Sequence, residues 1–374
     1  MCRLGLICVL TAVVLASPVR GEEAALVNRP GIYTVPSRMC GPFFLVPLTL
    51  PGKAGGKSRE LTFLFDSGAS ITSVDPDAVA RISEGTVKAG DRVSLKDARA
   101  GPLTFKRLTA SAREMDHLAR ALGEPFDGIL GFTAFRNFLL TADYPNQRLQ
   151  ISRGTLPPAD GREVFEARGP DRRPWLKIRA GKRTHEVLID TGSSSTFALR
   201  AHENMRWRTR PLPVRVFAHT GTLEQRKAGR MDGEIGFGRH RIKNPLVYLT
   251  PDETELMGGG ILRHFAVTFD QRYQRVRLRR SRRSDIEMSP LNDTGALLRP
   301  RPAGLQVVTV LEGSPAEKAG LRAGDLIVSA DGRNIFTRGC PPAGGYREGS
   351  QVTYEVKRGR ETVAITVPRG VLVE

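Results

Sequence analysis

Histidine is scarce and badly placed for metal chemistry. The six in this 374-residue chain, His117, His185, His202, His219, His240 and His264, show no His-Glu-x-x-His spacing, and none stands beside a cysteine pair. A zinc site is therefore not expected, and neither is an organic cofactor. There is no Gly-x-Ser-x-Gly elbow, and the serine run Ser193–Ser195 has no evident histidine partner. Acidic residues are fewer than basic ones, 39 against 57, for a net charge of +18. That charge favours anionic surfaces, so association with an anionic envelope surface is one expectation and a merely solvated basic surface is another. No recognition motif for nucleic acid accompanies it.

Long apolar runs are missing too, with one short exception. Arg3 precedes LGLICVLTAVVLA, thirteen uncharged residues, and then SPVRG. The run is short for a membrane span, and its basic start and small-residue end have the layout of a secretory signal peptide over residues 1–21. Cleavage near Ala16, Ser17 or Gly21 would release an exported protein, periplasmic or secreted. Only four cysteines occur. Cys2 and Cys8 fall in this segment, which leaves Cys40 and Cys340 either to pair in an oxidising compartment or to stand as two separate thiols.

What the chain does contain is a repeat. FLFDSGAS (63–70) drives an apolar strand into Asp66, and VLIDTGSS (187–194) does the same at Asp190. Each is preceded by another apolar strand and a glycine turn, FFLVPLTL before the first and PWLKIRA before the second. Downstream, RNFLLTADYPNQRLQI (136–151) aligns without a gap on RHFAVTFDQRYQRVRL (263–278). Asp66 lies 65 residues before Gly131 of an Ile-Leu-Gly triplet, and Asp190 lies 68 before Gly258 of Leu-Met-Gly. One unit is thus used twice, which implies two similar lobes rather than a solenoid. Short alternating strands with Gly and Pro turns make both mostly β, with short helices expected around 115–122, 132–138 and 260–264. The polar stretches 153–172 and 279–300 read as joins.

The paired loops, FDSGAS with ILGFTAFRNFL and IDTGSS with LMGGGILRHF, resemble the aspartic proteases, in particular the retropepsin-like group. The resemblance covers about residues 40–280. It implies a bilobal β fold with a pseudo-two-fold axis, lobe 1 over 22–155 and lobe 2 over 160–282, and an endopeptidase in which Asp66 and Asp190 share one proton and act on a bound water. Polypeptide would be the substrate and a monomer would suffice. Gly68 and Gly192 would admit a turn that a Cβ obstructs. Ser67 and Thr191 would bond across the lobe interface, and Ser193 would bond the Asp190 carboxylate, making Asp190 the more readily ionised of the two. A flap is implied as well, with Thr220 and Gly221 in 216–225 as the candidate in lobe 2 and 93–105 in lobe 1. A catalytically silent exported protein that binds peptide in the same cleft is the alternative.

The C-terminal stretch AGLQVVTVLEGSPAEKAGLRAGDLIVSADGRNI resembles PDZ domains of exported bacterial proteases, and implies a small domain over 299–374 after a linker at 283–298. Ser314-Pro315 reads as a helix start, Gly320 as its stop and Asp331-Gly332 as a hairpin turn. Such domains add a peptide, often a protein C-terminus, as an extra strand. The resemblance places that contact at Gly304, Leu305, Gln306 and Val307.

Overall fold

The computed structural model describes residues 23–26, 31–52, 56–83, 85–217, 223–251, 254–280, 285–337, 339–341 and 347–374. The protein is mostly β. Three large sheets precede the C-terminal one, and the sequence repeat reappears as a repeated pattern of strand pairing. In the first half, strand Arg59–Asp66 runs antiparallel to Phe43–Leu50 and parallel to Gly128–Gly131. In the second, Arg183–Ile189 runs antiparallel to Trp175–Ala180 and parallel to Glu255–Met257. Each aspartate strand is therefore hydrogen-bonded on both sides. Successive residues are also buried, Phe63 to Phe65 in one and Val187 to Ile189 in the other, so both faces are covered and the run is near-continuously apolar. The next short strands, Thr72–Val74 and Phe197–Leu199, each pair antiparallel to the triplet strand and parallel to one further strand, Leu103–Ala112 or Leu246–Leu249.

The two halves meet in a six-stranded sheet. Strand Leu139–Asp143 pairs antiparallel with Ala266–Asp270, and Thr141 faces Thr268. These threonines occupy the same position in the two repeats, and their hydroxyls lie 2.9 Å apart. One buried cluster runs through both halves, with Phe65 edge-on to Phe135 and Phe132 edge-on to Phe269 across the join.

Helices are short. Pro76–Ile82 is capped by Asp75, whose carboxylate accepts the Asp77 amide at 2.9 Å, and Pro76 fits at the first position. Asp116–Leu122 ends at Gly123 in the left-handed conformation, and Phe132–Phe135 and Gly259–Leu262 are single turns. Among the described residues no helix is long and apolar enough to cross a membrane.

The C-terminal sheet has the order 296–301, 304–310, 326–330, 351–358, 361–368 around its own cluster, with Val307, Ile327, Val356 and Val367 at its centre. Ser314 caps helix Pro315–Lys318, and Asp331-Gly332 turns between two strands. The region read as a linker is corrected here. Leu291–Asp293 and Ala296–Arg301 are strands, the first paired with Gly370–Val373 and the second with Gly304–Val310. The join at 153–172 likewise carries a strand, Val164–Glu166, in the six-stranded sheet. Their charged composition concealed edge strands, which need only one apolar face.

Two sets of contacts fix the C-terminal sheet to the rest. Cys40 and Cys340 form a disulfide, and beside it Gly41 donates to the Pro341 carbonyl and Gly339 to that of Gly123. On the other side Leu372 and Val373 pack with Val214, Ala228 and Leu246, and the buried Arg230 donates to the Glu374 carbonyl.

Candidate active site

Asp66 ends its strand and Asp190 follows immediately on its own, so the repeat delivers two carboxylates by two equivalent routes. The turns that follow cross. The Ser67 amide donates to Thr191 Oγ1 at 2.8 Å, and the Thr191 amide donates to Ser67 Oγ at 3.0 Å. Ser67 Oγ then donates to the Ile189 carbonyl at 2.7 Å and Thr191 Oγ1 to that of Phe65 at 3.2 Å. Both side chains are fully buried, so these four bonds satisfy groups that water cannot reach.

The crossing brings each glycine against the opposite carboxylate. A Cβ on Gly68 would sit 2.6 Å from Asp190 Cγ, and one on Gly192 would sit 2.4 Å from Asp66 Cγ. Only glycine leaves that space. The Asp66 carboxylate accepts the amides of Gly68 at 2.7 Å and Ala69 at 3.2 Å, whereas Asp190 accepts that of Gly192 at 2.8 Å.

Both aspartates are half-buried. Loss of water raises the pKa of both, and the hydrogen bond between them holds Asp66 down while raising Asp190. The Asp66 charge pushes Asp190 up further, well above the ordinary carboxylate range. Two amides on Asp66 against one on Asp190 act in the same sense. This asymmetry runs in the opposite sense to the expectation from sequence.

That expectation rested on Ser193, and it too is corrected. Ser193 Oγ lies 2.8 Å from Ser195 Oγ and accepts the Ser195 amide at 3.3 Å, a local turn that spends the hydroxyl away from Asp190. The triplet strands pack beside the loops: Asp190 donates its amide to the Met257 carbonyl, and Phe132 donates to that of Ala69. Thr220 and Gly221 lie outside the described residues. The first-half candidate, 93–105, falls on the hairpin of Arg92–Ala100 and Leu103–Ala112.

Two residues near the pair were not singled out from sequence. Arg173 Nη1 donates to the Gly68 carbonyl at 3.0 Å, and its charge lowers the pKa of both carboxylates. In the sequence it falls between the join at 153–172 and the strand PWLKIRA, and neither reading takes it in. Tyr144 is buried edge-on against Phe44, its hydroxyl has no hydrogen-bond partner, and burial and the two aspartate charges hold its phenol un-ionised. Among the described residues no cluster of His, Cys, Asp and Glu is placed to hold a metal.

The expected peptide contact at Gly304, Leu305, Gln306 and Val307 is also corrected. Strand Gly304–Val310 is interior, hydrogen-bonded to Ala296–Arg301 on one side and Leu326–Ala330 on the other. An added strand needs an unpaired edge, and on this side of the sheet the edge strand is Ala296–Arg301.

Residues 306–358 match the PDZ domain family model, and the chain carries a PDZ domain. Relatives include the "Probable periplasmic serine endoprotease DegP-like" of Pseudomonas savastanoi pv. phaseolicola, 40% identical over 74 residues, 19% of this chain and 15% of that protein. The protein of the same name from Ectopseudomonas mendocina is 38% identical over 76 residues, 20% of this chain and 16% of that one. "Serine protease HTRA1" of Xenopus tropicalis is 32% identical over 65 residues, 17% and 14% of the two chains. The chain thus spans about one-sixth of the length of the relatives it matches, over the PDZ stretch. These relatives are named serine endoproteases, and none is an aspartic protease. The expectation of a retropepsin-like, aspartic-type endopeptidase is corrected accordingly. It was drawn from two short loop motifs, which specify a turn and a carboxylate but do not name a reaction.

Proposed function

We propose that the protein is an exported, PDZ-bearing hydrolase that works on polypeptide, with Asp66 and Asp190 as its catalytic groups. The observation that carries this reading is the pair itself. Two partly buried carboxylates, one from each repeat, each lie against the other's glycine, Gly68 against Asp190 and Gly192 against Asp66, and each perturbs the other's titration. A binding surface gains nothing from two carboxylates that repel each other, whereas a proton-sharing pair holds an acid and a base at one point. Each repeat is read as one lobe of a bilobal body, 22–155 and 160–282, closing on its partner within the chain, with the PDZ domain over 299–374. The word "periplasmic" in the relatives' names supports export, and their description as endoproteases supports a polypeptide substrate. Hydrolysis is as fine a reaction class as these facts carry, because the serine endoproteases share only the PDZ stretch with this chain.

The test is hydrolysis of a mixed peptide library by the mature protein across pH 3 to 7, about the range in which carboxylates titrate, with Asp66→Asn and Asp190→Asn alongside. Each substitution is expected to abolish cleavage. Cleavage that survives in both variants would remove the pair from the chemistry. No cleavage under any condition, with peptide still bound, would make the protein a polypeptide-binding one.

A further inference from the structure

We infer that Arg173 is a positioning residue for the carboxylate pair, holding the first aspartate loop by its Gly68 carbonyl from the second repeat and keeping a fixed positive charge beside the shared proton. The inference rests on the reading of Asp66 and Asp190 as the functional groups. The geometry that supports it is a clamp. Asp171 takes Arg173 Nε at 2.7 Å and Nη2 at 2.6 Å on one carboxylate oxygen, while its other oxygen accepts the Arg173 amide and Trp175 Nε1, each at 2.9 Å. The guanidinium also lies over the Trp175 ring, 5.5 Å from its centre. Two of the guanidinium's nitrogens and its face are thus held before Nη1 reaches 3.0 Å to the Gly68 carbonyl, across the join between the two repeats. A planar fork held this way loses little entropy in making the last bond.

Gly68 is the residue whose amide holds Asp66 and whose Cα faces Asp190. A displacement at its carbonyl therefore moves the contacts of both carboxylates. The Asp171 carboxylate offsets part of the guanidinium charge, and what remains still lowers the pKa of both aspartates. Tyr144 is un-ionised on the core side. Beyond Arg173, a cavity of about 430 Å³ is lined by Arg183, Arg200, Glu186 and the His185–Glu255 pair, with guanidinium groups at least matching carboxylates.

The test titrates the pair directly, by carboxyl NMR of the protein made with isotope-labelled aspartate, with Asp66→Asn and Asp190→Asn identifying the signals. Peptide hydrolysis is followed in parallel. Arg173→Gln is expected to move the loss of the shared proton to higher pH, leaving roughly three- to tenfold fewer ionised pairs at a fixed pH on the rising limb. Arg173→Lys keeps the charge without the fork, so its titration should stay near that of the wild type while hydrolysis slows. Asp171→Asn frees the guanidinium and removes the carboxylate that offsets its charge, so hydrolysis should slow as in the lysine variant while the titration moves to lower pH, not higher. A merely structural arginine would lower stability in all three and shift the titration in none, and that result overturns the inference. If the glutamine variant does not fold, an unchanged hydrolysis rate in both the lysine and Asp171→Asn variants overturns it instead. Should the wild type hydrolyse nothing, the catalytic reading of the pair fails, and the titration still decides the role of Arg173.

Discussion

Thr191→Val tests the crossed turns at the point where their energy can be worked out. Valine keeps the shape of threonine and removes one hydroxyl. That hydroxyl accepts the Ser67 amide at 2.8 Å and donates to the Phe65 carbonyl at 3.2 Å, in a setting where both Ser67 and Thr191 are fully buried. The carbonyl retains other means of pairing, but the Ser67 amide has nowhere to turn. A buried donor left unsatisfied costs about 1–3 kcal/mol and the lost bond to the carbonyl about 1 more, giving a loss of roughly 2–4 kcal/mol. Ser67→Ala removes a different two bonds, to the Ile189 carbonyl and from the Thr191 amide, and should cost a similar amount. Urea unfolding followed through Trp175 and Trp207 reads the loss, since both tryptophans lie in the second repeat. Amide exchange at Ser67 gives the local value, which should quicken roughly thirty- to thousandfold. A loss under about 0.5 kcal/mol, with Ser67 exchange unchanged, would refute the claim that these hydroxyls hold the two aspartate loops together.

Asp190→Asn should stabilise the fold at pH 7.5 and have little effect at pH 4, seen as a difference in melting temperature. The carboxylate is raised in the fold from its ordinary value of 3.8, so above that value the folded state binds more protons than the unfolded one, and stability falls as pH rises. His240 and His264, each lowered by burial from 6.5 to about 4, act with the opposite sign and weaken wild type and variant alike as pH falls through that window. Equal melting shifts at the two pH values would refute the raised pKa. Replacing Cys40 and Cys340 by serine opens a loop of 300 residues, whose closure is worth about 5 kcal/mol in the unfolded chain. Reductant should lower the wild-type unfolding midpoint to that of the variant and leave the variant unchanged, and a reductant effect on the variant would break the argument. Tyr144→Phe removes a buried hydroxyl without a partner and is expected to be neutral or to stabilise by up to about 1 kcal/mol. A clear loss in urea unfolding would show that the hydroxyl is bonded after all.

How much of this site can be read from the sequence depends on the range of the contacts involved. The repeat was legible because both halves impose the same local demands. A strand buried on both faces must be apolar on both, and the turn after it must end on glycine to clear the opposite carboxylate. Those demands act within a few residues, so they leave the matching strings FDSG and IDTG. The helix at 315–318 was legible for the same reason, through Ser314-Pro315 at its start and Gly320 after its end.

The errors lie where a side chain chooses between partners that are distant in sequence. Ser193 stands where its hydroxyl would meet Asp190, yet Ser195 is nearer along the turn and takes the bond. The unequal support of the two carboxylates, two amides on Asp66 and one on Asp190, is likewise a count that no composition rule supplies. Arg173 is the sharper case. It is one arginine among many in a chain of charge +18, just past a stretch whose proline, glycine and charge read as a join. Its significance comes from a carbonyl 105 residues away and from a clamp whose three members, Asp171, Arg173 and Trp175, are each ordinary in a loop. The C-terminal strands failed in a related way. Gly304–Val307 has the residues of a peptide-binding loop, but whether a strand is free to receive a peptide is decided by its neighbours in the sheet. Here those neighbours, Ala296–Arg301 and Leu326–Ala330, cover both of its sides. If this PDZ domain takes a peptide by strand addition beside them, the outer edge of Ala296–Arg301 is where it must do so. That strand already lies against helix Asp116–Leu122 and the hairpin of Trp207–Phe217 and Leu223–Met231. A peptide arriving there meets elements of both repeats that carry Asp66 and Asp190.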